Sequence, residues 1–314
     1  MPNIIFPTGF TIDFSHLSME MMQFYSEKWN LEHKQMGKGL FEGKLRAVHT
    51  PRIQLALNHS STGLLSRGDF PKGSIVLNSY FSCHGIYSFQ NKPILPNEII
   101  ALTKGDEVDR VSSGQFSGHI VTIEEQLFYK AFYSFFGETP NLSLKMKRFY
   151  IKKDMITVFH QTISLWIDYL MNTLPTLDIK PEYEKIESKI LSQLFSCISF
   201  SSLKKERKKF SVKAVRDILE QNIEQNIDLQ TIMQDLSISE SQLHNAFKSN
   251  YGISPKKYHQ MLRLNAVRNE LLNTRPKYNT VSEIAMKYNF FNMNKFSAMY
   301  KKVFAETPSQ TLYN

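Results

Sequence analysis

The last hundred residues of this 314-residue chain announce where their helices begin, and that constrains the fold more than anything else in the sequence. Ser239-Glu-Ser-Gln242 and Thr280-Val-Ser-Glu283 are both capping boxes, in which a hydroxyl and a side chain three residues on satisfy each other's orphan backbone donors. Asp228 precedes the short amphipathic run Leu229–Leu236, Ser237-Ile238 makes a tight turn, and Ser239 opens a helix carrying Leu243, Phe247 and Tyr251. Gly252 suits its C-terminal cap. Ser254-Pro255 places a cap before a proline at the first helical position and opens a helix of about 19 residues through Leu272. The tract Asn273–Asn279 breaks it. Thr280 then starts a helix through Ile284, Ala285 and Tyr288. A turn at Asn289-Phe-Phe-Asn292 leads to a helix with Phe296, Tyr300 and Phe304, and Thr307-Pro-Ser-Gln310 caps a last one. With a helix from Ser211 to about Asn222 ahead of them, residues 211–314 are expected to be all-α. Helix, short turn, helix occurs twice, joined by one long helix.

Charge singles out the same region. Residues 201–314 hold 18 Lys+Arg against 10 Asp+Glu, whereas residues 1–200 hold 20 against 19. Nearly all of the net +9 therefore lies in the last third, which points to a polyanionic partner for that part. At about 1.5 Å per residue the long helix spans roughly 28 Å. Adjacent major-groove segments on one face of DNA lie about 34 Å apart, so the two second helices can reach neighbouring grooves.

The preceding residues have another texture. From about Gly43 to Ile123, short β-rich runs such as Arg52–Leu57, Gly73–Asn78, Ile99–Leu102 and Gly118–Ile123 are punctuated by Pro71-Lys-Gly73 and Lys104-Gly-Asp106. This spacing suggests a small β-sandwich or barrel. From about Glu124 to Phe200 the pattern is helical, and Phe159, Ile163, Trp166 and Leu170 make one apolar stripe. The stripe is expected to contribute to self-association, with packing against the chain's own β-region as the alternative. Ser201–Phe210 is polar and basic and reads as a linker. The division expected is residues 1–200, the linker 201–210 and a DNA-binding part 211–314. Cys83 and Cys197 cannot supply a disulfide framework or a four-thiolate zinc site, and are expected to be buried reduced thiols. No apolar run approaches a membrane span, and Met1-Pro-Asn-Ile-Ile-Phe6 lacks a secretory leader's pattern, so a cytoplasmic location is expected.

The C-terminal segment resembles the DNA-binding domain of the AraC/XylS transcription regulators. The likeness is carried by Phe247-Lys248, Gly252-Ile-Ser-Pro255, Tyr258 and Arg263-Leu264 in the first unit. In the second it is carried by Arg263–Leu272, Thr280-Val, Phe296 with Tyr300, and Phe304-Ala-Glu-Thr-Pro-Ser-Gln-Thr-Leu312, most similar to the branch that includes the ethanolamine-utilisation operon regulator. Trp29 and Gly39-Leu-Phe-Glu-Gly43 extend a fainter likeness toward the N-terminus. Three positions depart from the pattern: Asn289 and Ala305 replace usual glycines, and Lys295 replaces a usual arginine. The resemblance implies an α+β protein whose N-terminal part is a cupin-like β-barrel with flanking helices. It also implies a sequence-specific DNA-binding regulator, an activator working with RNA polymerase at promoter double-stranded DNA, with control by a small-molecule effector or a homodimer. A sensing and dimerisation role for residues 1–200 is implied by the same resemblance.

Base edges are reached by exposed residues near the start of the second helix of each unit. The first unit offers Ser241, His244 and Asn245, and the second Asn292, Met293, Asn294 and Lys295. Asn pairs with adenine, and Met293 can pack on a thymine methyl. Phosphate contacts are expected from Lys248, Lys256, Lys257, Lys287, Lys301 and Lys302. Residues 211–314 are expected to bind DNA by themselves. His49, His59, His84 and His119 form no close ligand cluster in sequence, and neither a metal nor another cofactor is expected. The alternatives are a cupin-type enzyme with a helical appendage, against which stand the missing G-x-S-x-G, P-loop and H-E-x-x-H patterns, and an architectural DNA binder without sequence preference.

Overall fold

A computed structural model describes residues 9–27, 30–140, 142, 147–174, 180–199, 212–225, 227–236, 238–274 and 280–313. The expected linker 201–210, the cap at Ser211, Ser237 of the expected tight turn, and most of the helix-breaking tract, 275–279, lie outside the described residues. The chain begins β1 (Thr11–Leu17), α1 (Met19–Ser26), β2 (Leu31–Gln35), β3 (Gly43–His49), β4 (Ile53–Ser60), β5 (Leu64–Gly68) and β6 (Ser74–Cys83). It continues β7 (Tyr87–Phe89), β8 (Lys92–Pro93), β9 (Glu98–Leu102), β10 (Val108–Ser112), β11 (Phe116–Glu124) and α2 (Glu125–Phe136). Then come β12 (Lys147–Ile151), α3 (Ile156–Thr173), α4 (Lys180–Ser196) and β13 (Ile198–Ser199).

These strands form two antiparallel sheets, in the orders β1-β3-β4-β11-β6-β9-β12-β13 and β2-β5-β10-β7-β8. The cupin-like barrel expected from the resemblance is therefore corrected: neither sheet closes on itself. The chain instead stacks the small sheet on one face of the large one and helices on the other. In β6, Ile75 and Leu77 belong to the core shared with α2, α3 and α4, while Val76 and Asn78 face a cavity between the sheets. Ile53, Leu55, Val121 and Ile123 continue the helix-side core through the β4–β11–β6 register, where Val121 pairs with Leu55 and Leu77. Burial on both faces explains why these strands read as near-continuous apolar runs without a polar side.

The α3 stripe is also corrected. Phe159, Ile163 and Leu170 are at most 1 % exposed and pack with Ile190, Leu191 and Leu194 of α4, and the Trp166 indole donates to Gln193 Oε1 at 2.7 Å. The stripe holds the helices on the sheet, the alternative expected for it, with Trp166 half-buried at its edge. Glu187 of α4, fully buried, accepts from Thr50 Oγ1 (2.8 Å) and from the Arg52 backbone and guanidinium (2.9 and 2.7 Å), so its charge is compensated inside the core. Cys197 is buried and Cys83 half-buried, both as free thiols.

The C-terminal helices are α5 (Val212–Gln221), α6 (Leu229–Asp235), α7 (Glu240–Tyr251), α8 (Pro255–Asn273), α9 (Val281–Lys287), α10 (Met293–Phe304) and α11 (Pro308–Tyr313). Ser239 and Thr280 form complete capping boxes, Ser254 caps α8 ahead of Pro255, and Gly252 closes α7 at φ +71°. Phe247, Tyr251, Tyr258, Phe296, Tyr300 and Phe304 fill their common core. Met36, Leu65 and Val111 of the small sheet and its margins join that core, so the two halves of the protein pack as one body.

Candidate nucleic-acid interface

Helix periodicity decides what α7 and α10 present to solvent. Leu243, Phe247 and Tyr251 point inward, which leaves Ser241, His244, Asn245 and Lys248 exposed on the opposite side. On α10, Phe296, Tyr300 and Val303 are buried, while Asn294, Lys295, Ala298, Lys301 and Lys302 are exposed. Two members of the expected set have other duties. Asn292 is the N-cap of α10, its Oδ1 accepting from the Lys295 backbone N–H at 3.0 Å. Met293 is half-buried against the helical core.

The lysines divide as well. Lys248, Lys256, Lys301 and Lys302 are exposed. Lys257 is half-buried, its ammonium bonded to Gln260 Oε1 at 2.8 Å; burial, then Lys38 and Lys302 nearby, pull its pKa below the ordinary lysine value. Lys287 pairs with Glu270 at 2.8 Å and Glu224 at 3.7 Å, so its charge is already engaged within the domain.

The structure adds a set of residues that no local pattern in the sequence marks. The Asn265 side-chain amide of α8 bonds both backbone groups of Gln35, accepting its N–H (2.9 Å) and donating to its carbonyl (2.8 Å). It thereby continues the hydrogen-bonding of the open edge of β2. Arg67 of β5 bonds Asp109 of β10 (3.1 Å) and Glu220 of α5; Arg216 of α5 bonds Asp109 and Asp217 (2.9 Å). Tyr251 donates to Asn91, and Arg268 bridges Glu20 and Glu306 (3.2 Å). Gly252 lies so close to the small sheet that a Cβ there would sit 2.5 Å from Ser113 Cβ. The orientation of the helices on the sheets is thus held by partly buried, charge-compensated contacts.

Between the sheets lies a cavity of about 60 Å³, lined mainly by apolar side chains such as Met22, Leu45, Val76, Phe89 and Leu102. Arg110 is 5 % exposed on its wall, bonded to Ser66 Oγ at 3.0 Å, with its Nε unpartnered. Among the described residues no group of three or more His, Cys, Asp or Glu side chains could hold a metal. His119 meets His160 instead, Nδ1 to Nδ1 at 3.0 Å. No described helix is long and apolar enough to cross a membrane.

Residues 232–314, which span α6 to α11, match the protein family described as "Helix-turn-helix domain". The chain is 26% identical over 220 residues to the "XylDLEGF operon transcriptional activator" of Pseudomonas putida, covering 69% of this chain and 67% of that one. It is likewise similar to a solved transcriptional regulator with an AraC-type DNA-binding domain from Chromobacterium violaceum, with 29% identity and a TM-score of 0.30 over 32% of this chain and 88% of that one. Residues 232–314 are thus a helix-turn-helix domain. The protein is a DNA-binding transcription regulator.

Proposed function

We propose that α7 and α10 are two recognition helices that enter adjacent major-groove segments of promoter DNA, with the 19-residue α8 setting their separation. The observation that carries this reading is the exposed polar face each presents above a fully buried aromatic row, in the one strongly basic part of the chain. Ser241, His244, Asn245, Asn292, Met293, Asn294 and Lys295 would read bases, and Lys248, Lys256, Lys257, Lys301 and Lys302 would hold phosphates. The same reading takes residues 211–314 as the DNA-binding domain, 201–210 as its linker and 1–200 as a sensing and dimerising part.

The activator named among the relatives supports activation through RNA polymerase in a bacterial cytoplasm. The Phe304–Leu312 motif supports the ethanolamine-regulator branch. A small effector with an apolar body and an anionic group suits the cavity, because Arg110 is a buried guanidinium with an unpartnered Nε. A homodimer, if formed, would use surfaces other than the buried α3 stripe. Genome-wide mapping of bound sites, followed by gel shifts on the mapped promoter against unrelated DNA, tests the function. Asn245→Ala is expected to cost about 1–3 kcal/mol on the mapped site and little on unrelated DNA. Equal weakening on both would remove α7 from base reading.

A further inference from the structure

The loop between β2 and β3 carries a lysine of the sheet-bearing half to the end of α10. Gln35, 2 % exposed, donates from its side-chain amide to the carbonyls of Gly37 (3.2 Å), Gly39 (2.7 Å) and Val303 (2.7 Å). The Gly39 N–H donates to the Lys302 carbonyl at 3.2 Å. The turn Gly37-Lys38-Gly39 is therefore tied on both sides of Lys38 to the last turn of α10, while Lys38 itself is exposed.

Two further lysines share this place. Lys302 follows Lys295 by two helical turns and so lies on the same exposed face of α10. Lys257 is bonded to Gln260, whose amide nitrogen in turn lies 2.8 Å from Met299 Sδ, which sets Lys257 against the same end of the helix. Among the described residues no carboxylate pairs with Lys38, Lys257 or Lys302, and Lys257, whose burial is the main reason it holds its proton less tightly, is also repelled by Lys38 and Lys302.

We propose that Lys38, Lys257 and Lys302 form one site for a DNA backbone phosphate, so that the sheet-bearing half supplies a direct contact to the DNA. This rests on α10 being a recognition helix. Ammonium groups clustered without a counter-charge are stabilised by an anion, and the site continues the line from Lys295 along the face that would meet the duplex. A free small anion is the competing occupant.

The full-length protein is titrated by fluorescence anisotropy with a mixed-sequence DNA duplex, from roughly 50 to 200 mM salt. Lys38→Ala should weaken binding and flatten the slope of log K against log salt by about 0.9, one phosphate's share, with Lys302→Ala doing the same. Lys38→Arg should keep the wild-type slope, and so should Lys104→Ala, which removes an exposed lysine from the turn after β9. A wild-type slope for Lys38→Ala overturns the proposal. So does calorimetry in which inorganic phosphate binds the wild type, fails to bind Lys38→Ala, and the DNA slope is unchanged; the site then takes a free anion. A wild type whose DNA affinity ignores salt sinks the recognition-helix reading itself.

Discussion

Ala305 closes α10 with φ +61°, a left-handed backbone that an L side chain adopts at a cost of roughly 1–2 kcal/mol. Asn289, at φ +62°, adopts the same conformation more readily than alanine does, and its side-chain amide donates to the Glu224 carbonyl, 65 residues away in the chain, at 2.6 Å. Ala305→Gly should therefore stabilise the protein by about 1 kcal/mol, read as a higher urea midpoint at unchanged slope. Gly252 is the opposite case. It combines φ +71° with a close approach to Ser113, so Gly252→Ala meets both backbone strain and a clash across the boundary between the halves. Its loss of stability should exceed the ~1 kcal/mol that a left-handed alanine alone explains. A smaller loss would mean that the two halves can separate at this point without penalty.

At the scale of elements, α3 and the small sheet separate packing from partnership. Ile163 is fully buried between sheet and helix, whereas Leu165 is 67 % exposed on the other side of the same helix. Ile163→Glu should cost about 3 kcal/mol or more by leaving an unpaired charge in the core, while Leu165→Glu should change the thermal midpoint little. Sedimentation adds a check: a folded Ile163→Glu protein that merely dissociates from dimer to monomer would restore the stripe as an interface. The strands β5 and β10 work on both faces. Arg110 lines the cavity and bonds Ser66, and Arg67 and Asp109 bond residues of α5. Asp109→Asn leaves Arg67 and Arg216 under-compensated at a site where Arg216 is 6 % exposed, and is expected to destabilise by about 3 kcal/mol. Chemical denaturation measures it, and an unchanged midpoint would show the network to be dispensable.

The molecule as a whole carries buried histidines that titrate together. Burial pushes His33 and His119 down to about 3, and His49, His160 and His259 to about 4, with Arg110, His160 and Arg263 adding to the shifts of His33, His119 and His259 respectively. The folded state therefore binds fewer protons than the unfolded one between those values and the ordinary 6.5. The stability these groups contribute is present above that pH and is lost as the pH falls toward 4, by up to about 1.4 kcal/mol per pH unit for each histidine. Urea midpoints measured from neutral pH downward should fall in this window, and His119→Gln should flatten the fall. A flat wild-type profile would mean that these imidazoles reach water. Removing the first half altogether would uncover the part of the helical core that packs with Met36, Leu65 and Val111. Residues 211–314, expected from sequence to bind DNA alone, should thus be less stable as a fragment than within the whole chain.

Much of the C-terminal half was legible from sequence because its signals are local. A capping box or an apolar row along α7 or α10 involves residues three or four apart, and each physical cause sits beside its effect. The exposed positions of Ser241, His244, Asn245 and Lys295 followed from the same periodicity. Elsewhere the chemistry joins residues far apart in the chain. Whether β-rich runs close into a barrel or stack as two sheets depends on edge pairings such as β12 with β9, which no single run encodes. Whether the apolar row of α3 meets a second copy or its own sheet depends on the core it finds once folded. Gln35 and Asn265 pair across 230 residues, and Lys38 reaches α10 through that docking. Sequence by itself determined the helices and the face they offer; the packing of the two halves alone decided which lysines stand together at its end, because charge proximity is set by tertiary contact and not by spacing along the chain.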